Sequence, residues 1–103
     1  MKIDIFMISK KGYYNACGIY DDGKVTVLKG SKIREKNLNF NRMTLLENYR
    51  NDKTMVDGNN ILKRNIVFNS PSTAAQFVGD SSRNGLLYWR NKENVKLKDI
   101  IGG

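Results

Sequence analysis

The sequence predicts a single α+β domain in which an antiparallel sheet of about four to five strands packs against two main helices. Three observations carry this prediction: β-rich segments around an Asp-Gly pair near the N-terminus, apolar residues at helical spacing in the middle, and a SPSTAAQFVG segment with capping residues at both ends. With 103 residues, the chain has room for one hydrophobic core, so we expect one domain over residues 1–103.

The first three strands are predicted to form a meander. They occupy segments rich in Ile, Val and aromatic residues, at 2–8, 13–20 and 24–29. The Asp22-Gly23 pair between the second and third strands is typical of a two-residue type I′ turn. That turn sets the pairing register and places Tyr20 opposite Val25.

The middle of the chain predicts a helix, a loop and a fourth strand. Apolar residues recur every three positions from Phe40 to Tyr49, which favours an amphipathic helix of about three turns. An asparagine at position 37, 39 or 41 is expected to cap its start. The polar stretch at 51–60 is typical of an exposed loop, and ILKRNIVF at 61–68 returns to an extended pattern.

The second helix has the clearest local signature. Ser70 is a good N-cap, Pro71 suits the first helical position, and Gly79 falls where a left-handed C-cap is expected. Small residues at helical spacing, including Ala74 and Ala75, predict a narrow face that packs closely on the sheet.

The C-terminal part predicts a tight turn and a fifth strand. The Asn84-Gly85 pair is typical of a turn, and LLYW at 86–89 has the composition of a strand. A short VKLKDII segment follows it.

Several residue types needed for common catalytic sites are missing. The sequence contains no histidine and one cysteine, which removes the commonest general base, the commonest metal ligand and any internal disulfide. Cys17 lies between small residues in a predicted strand, where an inert buried thiol is expected. We therefore expect a domain that is not an enzyme and uses no cofactor or metal.

Hydropathy and the N-terminus together indicate a protein of the cytoplasm. No apolar run approaches the roughly 18 residues that a membrane span needs, and the N-terminus lacks a signal-peptide pattern. We expect a cytoplasmic protein with no membrane contact.

The charge is strongly positive and unevenly distributed. Eighteen Lys and Arg against ten Asp and Glu give a net charge of +8. Residues 29–36, KGSKIREK, carry a net +3, and residues 83–98 carry a net +4. Such clustering favours a polyanionic partner, most often nucleic acid, although a solvated surface rich in Lys and Asn would have the same composition.

The two basic segments supply the candidate binding residues for double-stranded DNA. Phosphate contacts are expected from Lys29, Lys32, Arg34, Arg83, Arg90 and Lys92. Ser31, in the KGSK turn, is a further candidate binding residue. The KGSK turn is equally compatible with anion binding and with a purely structural role. Asn84 and Trp89 are candidates for reading bases, Asn84 through its amide and Trp89 by stacking. The alternative for Trp89 is a place in the core.

Three motifs occur in an order that resembles a known family. VLKGS at 27–31, FNSPSTAA at 68–75 and NGLLYW at 84–89 are similar to motifs of the bacterial domain-of-unknown-function family 4357, over about 13–101. The chain is also similar to the restriction-enzyme adenine-methylase-associated domain. The resemblance implies a non-catalytic DNA-binding accessory module that reads modified DNA in a restriction, defence or mobile-element setting. It also implies a nuclease or restriction-linked partner protein.

A different class of function fits the same composition. A protein-interaction or oligomerisation module would offer its basic surface to an acidic partner, and a homodimer would form through the exposed edge of strand 2–8. Salt-dependent binding to arbitrary duplex DNA separates the two hypotheses.

Overall fold

A four-stranded antiparallel sheet is the central element of the computed structural model, which describes residues 2–102. Its strands, in spatial order, are β1 (Lys2–Ile8), β2 (Asn15–Asp21), β3 (Lys24–Val27) and β4 (Ile66–Phe68). Helices cover one face of this sheet, so the predicted α+β class is confirmed. Four of the predicted strands are present, and the last of them is much shorter than the extended pattern at 61–68 suggested.

The β2–β3 hairpin has the predicted turn and register. Asp22 and Gly23 have φ angles of 49° and 85°, and a type I′ turn requires positive φ at both central residues. Tyr20 pairs with Val25 across the hairpin. The turn therefore aligns the buried faces of the two strands.

The core lies on a single face of the sheet, because alternate residues of each strand point to that face. Two helices cover it, α1 (Thr44–Asn51) and α2 (Pro71–Gly79). Three aromatic rings join the layers, with centroid separations of 5.8 Å between Tyr49 and Phe68 and 5.1 Å between Phe68 and Phe77. Each such ring pair contributes about 0.5–1.5 kcal/mol beyond its buried area.

The start of α1 differs from the prediction. The helix begins at Thr44, and its N-cap position, Met43, makes no side-chain capping bond. The predicted asparagine cap is therefore wrong. Asn37 instead donates its backbone N–H to the Asp80 carboxylate and uses its side-chain oxygen to accept from the Asn39 N–H. These contacts hold the preceding segment in a non-helical path.

The N-terminus of α2 is as predicted, and its C-terminus is shifted by one residue. The Ser70 hydroxyl accepts a hydrogen bond from the Thr73 N–H at 3.1 Å, and Pro71 is the first helical residue. The left-handed C-cap is Asp80, with φ 48°, and Gly79 is still helical. Gly79 has a different role: an added Cβ would lie 2.3 Å from the Arg83 Nε.

The predicted fifth strand is wrong, because residues 86–88 belong to a single helical turn, α3 (Gly85–Tyr88). The Asn84 side chain caps this turn by accepting from the Leu86 N–H. A Cβ on Gly85 would lie 2.1 Å from the Pro71 backbone, so the glycine permits a close helix approach. The chain ends with α4 (Leu97–Ile101). No helix in the described part of the chain is long and apolar enough to cross a membrane.

Candidate nucleic-acid interface

Two surface grooves lie on either side of the β1–β2 loop (residues 9–14), and basic residues line both. The larger, about 910 Å³, is named the lysine groove; its lining residues are Phe6, Met7, Ile8, Ser9, Lys10, Tyr14, Leu87, Tyr88, Arg90, Asn91, Lys92, Asn94 and Lys96. The smaller, about 720 Å³, is named the amide groove; its lining residues are Gly12, Tyr13, Lys32, Ile33, Arg34, Glu35, Lys36, Asn37, Leu38, Gly58, Asn59 and Asn60. The loop therefore contributes residues both to the groove lined by the first predicted basic segment and to the groove lined by the second.

The lysine groove has a uniformly positive lining. Lys10, Arg90, Lys92 and Lys96 line it, and none of its described lining residues carries a carboxylate. Four cations, with no carboxylate among the described lining residues, give this concave surface a positive potential that concentrates anions.

Backbone pairing holds one wall of the lysine groove against the sheet. Phe6 of β1 and Arg90 exchange two backbone hydrogen bonds, of 2.7 Å and 2.9 Å. Arg90 also pairs with Lys96 in the following turn, and its guanidinium donates to the Asn94 carbonyl. The same pairing covers the centre of the β1 edge, which is the edge expected to form a homodimer.

Arg83 stacks between two tyrosines. Its guanidinium carbon lies 4.7 Å from the Tyr88 ring centroid and 5.2 Å from that of Tyr14. Its Nη1 donates to the Tyr14 hydroxyl and its Nε to the Ser81 hydroxyl. Arg83 was expected to contact phosphate, but its guanidinium instead joins α3, through Tyr88, to the β1–β2 loop, through Tyr14, beside the lysine groove.

The amide groove combines an aromatic ring with amide side chains. Tyr13 is about half exposed, and the guanidinium carbon of Arg34 lies 4.9 Å from its ring centroid. Asn59 and Asn60 also line it. A backbone hydrogen bond of 2.9 Å from the Ile33 N–H to the Asn60 carbonyl joins their segment to the segment that carries Arg34.

The charge of the amide groove is mixed. Glu35 lines it together with three cations. One of these, Lys36, has its ammonium 3.7 Å from a Glu47 carboxylate oxygen and donates to the Asn51 side chain. Lys32 donates to the Gly12 carbonyl. The amide groove is therefore less positive than the lysine groove.

A buried ion cluster lies behind the amide groove. Asp80 is completely buried, and Arg42 binds its two oxygens in a fork, at 2.8 Å and 2.7 Å. A second arginine, Arg50, places its Nε 3.4 Å from the same carboxylate. Arg42 also donates to Glu47 at 2.7 Å. Two arginines therefore surround one buried acid.

The ion cluster holds the basic wall of the amide groove. Arg50 donates to the Arg34 carbonyl at 2.6 Å, and the Arg34 N–H donates to the Val78 carbonyl at 2.9 Å. The Asn37 N–H donates to Asp80 at the far end of the same wall. Residues 34–37 are therefore tied at both ends to buried groups.

The environment of the ion cluster shifts the pKa values of Asp80 and Arg50 but leaves both groups ionised at neutral pH. Burial alone would raise the pKa of the Asp80 carboxyl, but hydrogen bonds from Arg42 and Asn37 and the charge of Arg50 outweigh it and hold that pKa below its ordinary value. Burial lowers the pKa of Arg50 to about 10. Both groups are therefore charged at neutral pH.

Three predicted site residues are occupied by structural contacts. Trp89 is completely buried and its indole N–H donates to the Pro71 carbonyl at 3.0 Å, so the core alternative is correct and base stacking is excluded. Ser31 is buried, and its hydroxyl accepts a hydrogen bond from the Cys17 N–H and donates one to the Cys17 carbonyl. The Asn84 oxygen caps α3. The sequence motifs suggested that these groups contact a ligand, but in the structure each of them makes a hydrogen bond within the protein.

Four of the five remaining predicted residues line one of the two grooves. Lys32 and Arg34 line the amide groove, and Arg90 and Lys92 line the lysine groove. Lys29 is exposed but lines neither of them.

Sequence reasoning missed several groove residues, among them Lys10, Tyr13, Tyr88 and Lys96. A signal for two of them is present in KKGYY at 10–14, where a basic pair adjoins an aromatic pair in a hairpin loop. The other two needed the α3 turn and the pairing of Arg90 with Lys96. Among residues 2–102, no group of three or more His, Cys, Asp or Glu side chains is arranged to hold a metal ion.

Comparison with known families gives a match over most of the chain. A family model described as "Domain of unknown function (DUF4357)" matches residues 6–101. Comparison with curated proteins and with solved structures gives no match.

Proposed function

We propose that this chain, which belongs to the DUF4357 family, is a non-catalytic module that binds double-stranded DNA through the lysine groove. The observation that carries the proposal is the set of four cations around this groove, with no carboxylate among its described lining residues. DNA carries one negative charge per roughly 1.7 Å of helix axis, so a concave cluster of cations suits its backbone.

The β1–β2 loop enlarges the surface available to a duplex. Lys10 lines the lysine groove, and its neighbour Lys11 is also exposed. Tyr88 and Leu87 supply partly exposed apolar surface beside these charges. Phosphate contacts from such lysines position a duplex without reading its sequence. We therefore propose binding that depends mainly on charge.

The proposed setting is more specific than the binding itself. The resemblance of the VLKGS and FNSPSTAA motifs to restriction-linked domains supports an accessory role in restriction, defence or mobile elements. In that role the module would work in the cytoplasm beside a nuclease or restriction-linked partner and would prefer modified DNA.

The test is a salt series of fluorescence anisotropy titrations with a labelled duplex. Neutralisation of about four to six phosphates predicts a slope of log K against log salt near −4 to −5, since each phosphate contributes roughly −0.9. A flat salt dependence, or no binding at low salt, contradicts the proposal. Parallel titrations with adenine-methylated duplex test the preference for modified DNA.

The alternative is a protein-interaction or oligomerisation module with a basic surface for an acidic partner, and the β1 edge is less available for dimerisation than the sequence suggested. The two hydrogen bonds between Phe6 and Arg90 occupy the centre of that edge, so a second copy would find only its two ends. Sedimentation of the free chain as a dimer would revive the alternative.

A further inference from the structure

We propose that the amide groove is a binding site for an unpaired nucleobase, which is held out of the stack at a bulge or a single-stranded end of the bound nucleic acid. This inference rests on the proposed function, because the lysine groove would hold the neighbouring duplex. In this arrangement the lysine groove binds phosphates and the amide groove binds a base.

The first reason is the aromatic platform. Tyr13 lines the groove and is about half exposed, and the guanidinium carbon of Arg34 lies 4.9 Å from its ring centroid. The guanidinium steadies the ring, and the residue still keeps about half of its surface exposed. Nucleobases stack on such rings without sequence preference, because every base has a π-face.

The second reason is the pair of amide side chains in the same groove. Asn59 and Asn60 line it together with Tyr13, and an amide side chain offers both donors and an acceptor to a base edge. The Asp57 carboxylate accepts from the N–H groups of Asn59 and Ile61, at 2.8 Å and 3.0 Å. These bonds hold the loop backbone in a defined shape and so fix the positions from which the two amide side chains extend.

The third reason is the charge of the groove. Glu35 contributes a negative charge to its lining, and Lys36 is paired with Glu47. A track of phosphates would be repelled by the carboxylate, whereas a neutral base would not. The ammonium of Lys32 and the guanidinium of Arg34 suffice for the phosphate attached to that base.

A paired base is unsuitable for this groove, because its faces are covered by its neighbours in the duplex. Stacking on Tyr13 requires a base that has left the stack, and such bases are exposed in bulges and single-stranded ends. The groove volume of about 720 Å³ is within the range of small-molecule sites, roughly 300–1,000 Å³. One nucleoside can therefore enter it.

The experiment measures a ratio of two affinities. The chain is titrated against a fully paired labelled duplex and against the same duplex with one bulged 2-aminopurine, with anisotropy for affinity and 2-aminopurine emission for stacking. Base stacking on an aromatic residue corresponds to roughly a 5- to 150-fold gain in affinity. We expect the bulged duplex to bind at least fivefold more tightly and its emission to be quenched.

Variants assign the preference to the groove. Tyr13→Ala should bring the affinity ratio close to one and abolish the quenching, and Tyr13→Phe should retain both, because stacking needs the ring and not the hydroxyl. Asn59→Ala should lower the ratio. Its matched control is Asn48→Ala, an exposed asparagine of α1 outside both grooves. Circular dichroism checks that each variant is folded.

The outcomes separate this inference from the proposed function. Equal affinity of the parent chain for the two duplexes overturns the base site and leaves duplex binding intact. A preference that survives Tyr13→Ala overturns the assignment to the amide groove. No binding of either duplex at low salt overturns the proposed function and the base site together.

Discussion

The lysine groove and the amide groove differ in how their cations are used. In the lysine groove, backbone pairing and the close approach of Gly85 to Pro71 hold the walls, so lysine side chains remain at the surface. Behind the amide groove, a buried ion cluster holds the segment at 34–37. Arg42 and Arg50 form ion pairs with Asp80 in this cluster, so their charges are not available to a ligand. A net charge of +8 therefore does not measure the charge available to a ligand.

The buried charges of the ion cluster and the exposed lysines should also differ in whether they affect protein stability or DNA binding. A charge that is buried and paired contributes to the fold mainly because its partner would otherwise be left unpaired. An exposed lysine contributes little to the fold, and its charge can neutralise a phosphate instead. Substitutions in the two regions should therefore affect different measurements.

The largest expected effect is on the ion cluster. Asp80→Asn leaves the buried Arg50 without its counter-charge and removes one of the two carboxylates that Arg42 binds, and we expect a loss of about 3–5 kcal/mol in the free energy of unfolding. Urea denaturation measures it. Asp99→Asn is the control, since Asp99 is exposed on α4. A loss as small as that of the control would mean that the ion cluster does not hold the amide groove.

A smaller effect is expected at the glycine that supports the lysine groove. Gly85→Ala places a methyl group 2.1 Å from the Pro71 backbone, so we expect a loss of about 1–3 kcal/mol from overpacking. Gly58→Ala is the matched control, because no atom lies within 4 Å of its added Cβ. Equal melting temperatures for the two variants would contradict the close approach of α3 to α2.

The next prediction concerns affinity. Lys10→Ala combined with Lys92→Ala removes two exposed charges from the lysine groove, and we expect duplex binding to weaken roughly tenfold or more and the salt slope to become shallower by about 2. Anisotropy over a salt series measures both. Lys2→Ala with Lys24→Ala removes the same charge from the opposite end of the sheet. Equal losses in the two double variants would show that binding follows net charge alone.

The last prediction concerns the loss of stability in acid, which has the smallest effect at neutral pH. The pKa of Asp80 is held below its ordinary value, so its ionised form contributes stability that is present above the unfolded pKa of about 3.9 and is lost as the pH falls through the folded pKa. We expect the parent chain to keep its stability between about pH 5 and 8 and to lose it below about pH 4. Thermal melts across this range should show a flatter acid limb for Asp80→Asn. If the loss of stability in acid is the same in Asp80→Asn as in the parent chain, other carboxylates cause it. Glu47 is then the first to test, because its hydrogen bond from Arg42 lowers its pKa.

Signals that act within a few residues were sufficient for much of the fold. The Asp22-Gly23 turn sets its own φ angles and hence the register of two strands, and the Ser70-Pro71 pair satisfies and shapes the first turn of α2 without help from the rest of the chain. The two basic segments were also visible, because charge is a property of composition. These features were determined by the sequence alone.

Packing decided what these local signals left open. Asn84-Gly85 is compatible with a turn or a helix start, and the contact of Gly85 with Pro71 selects the helix. The burial of Trp89, the stacking of Arg83 and the pairing of Arg42 with Asp80, which lies 38 residues away, have no signature within a short window. Such contacts depend on which side chains the folded backbone brings together, so only the tertiary structure determined which cations belong to the core and which face a ligand.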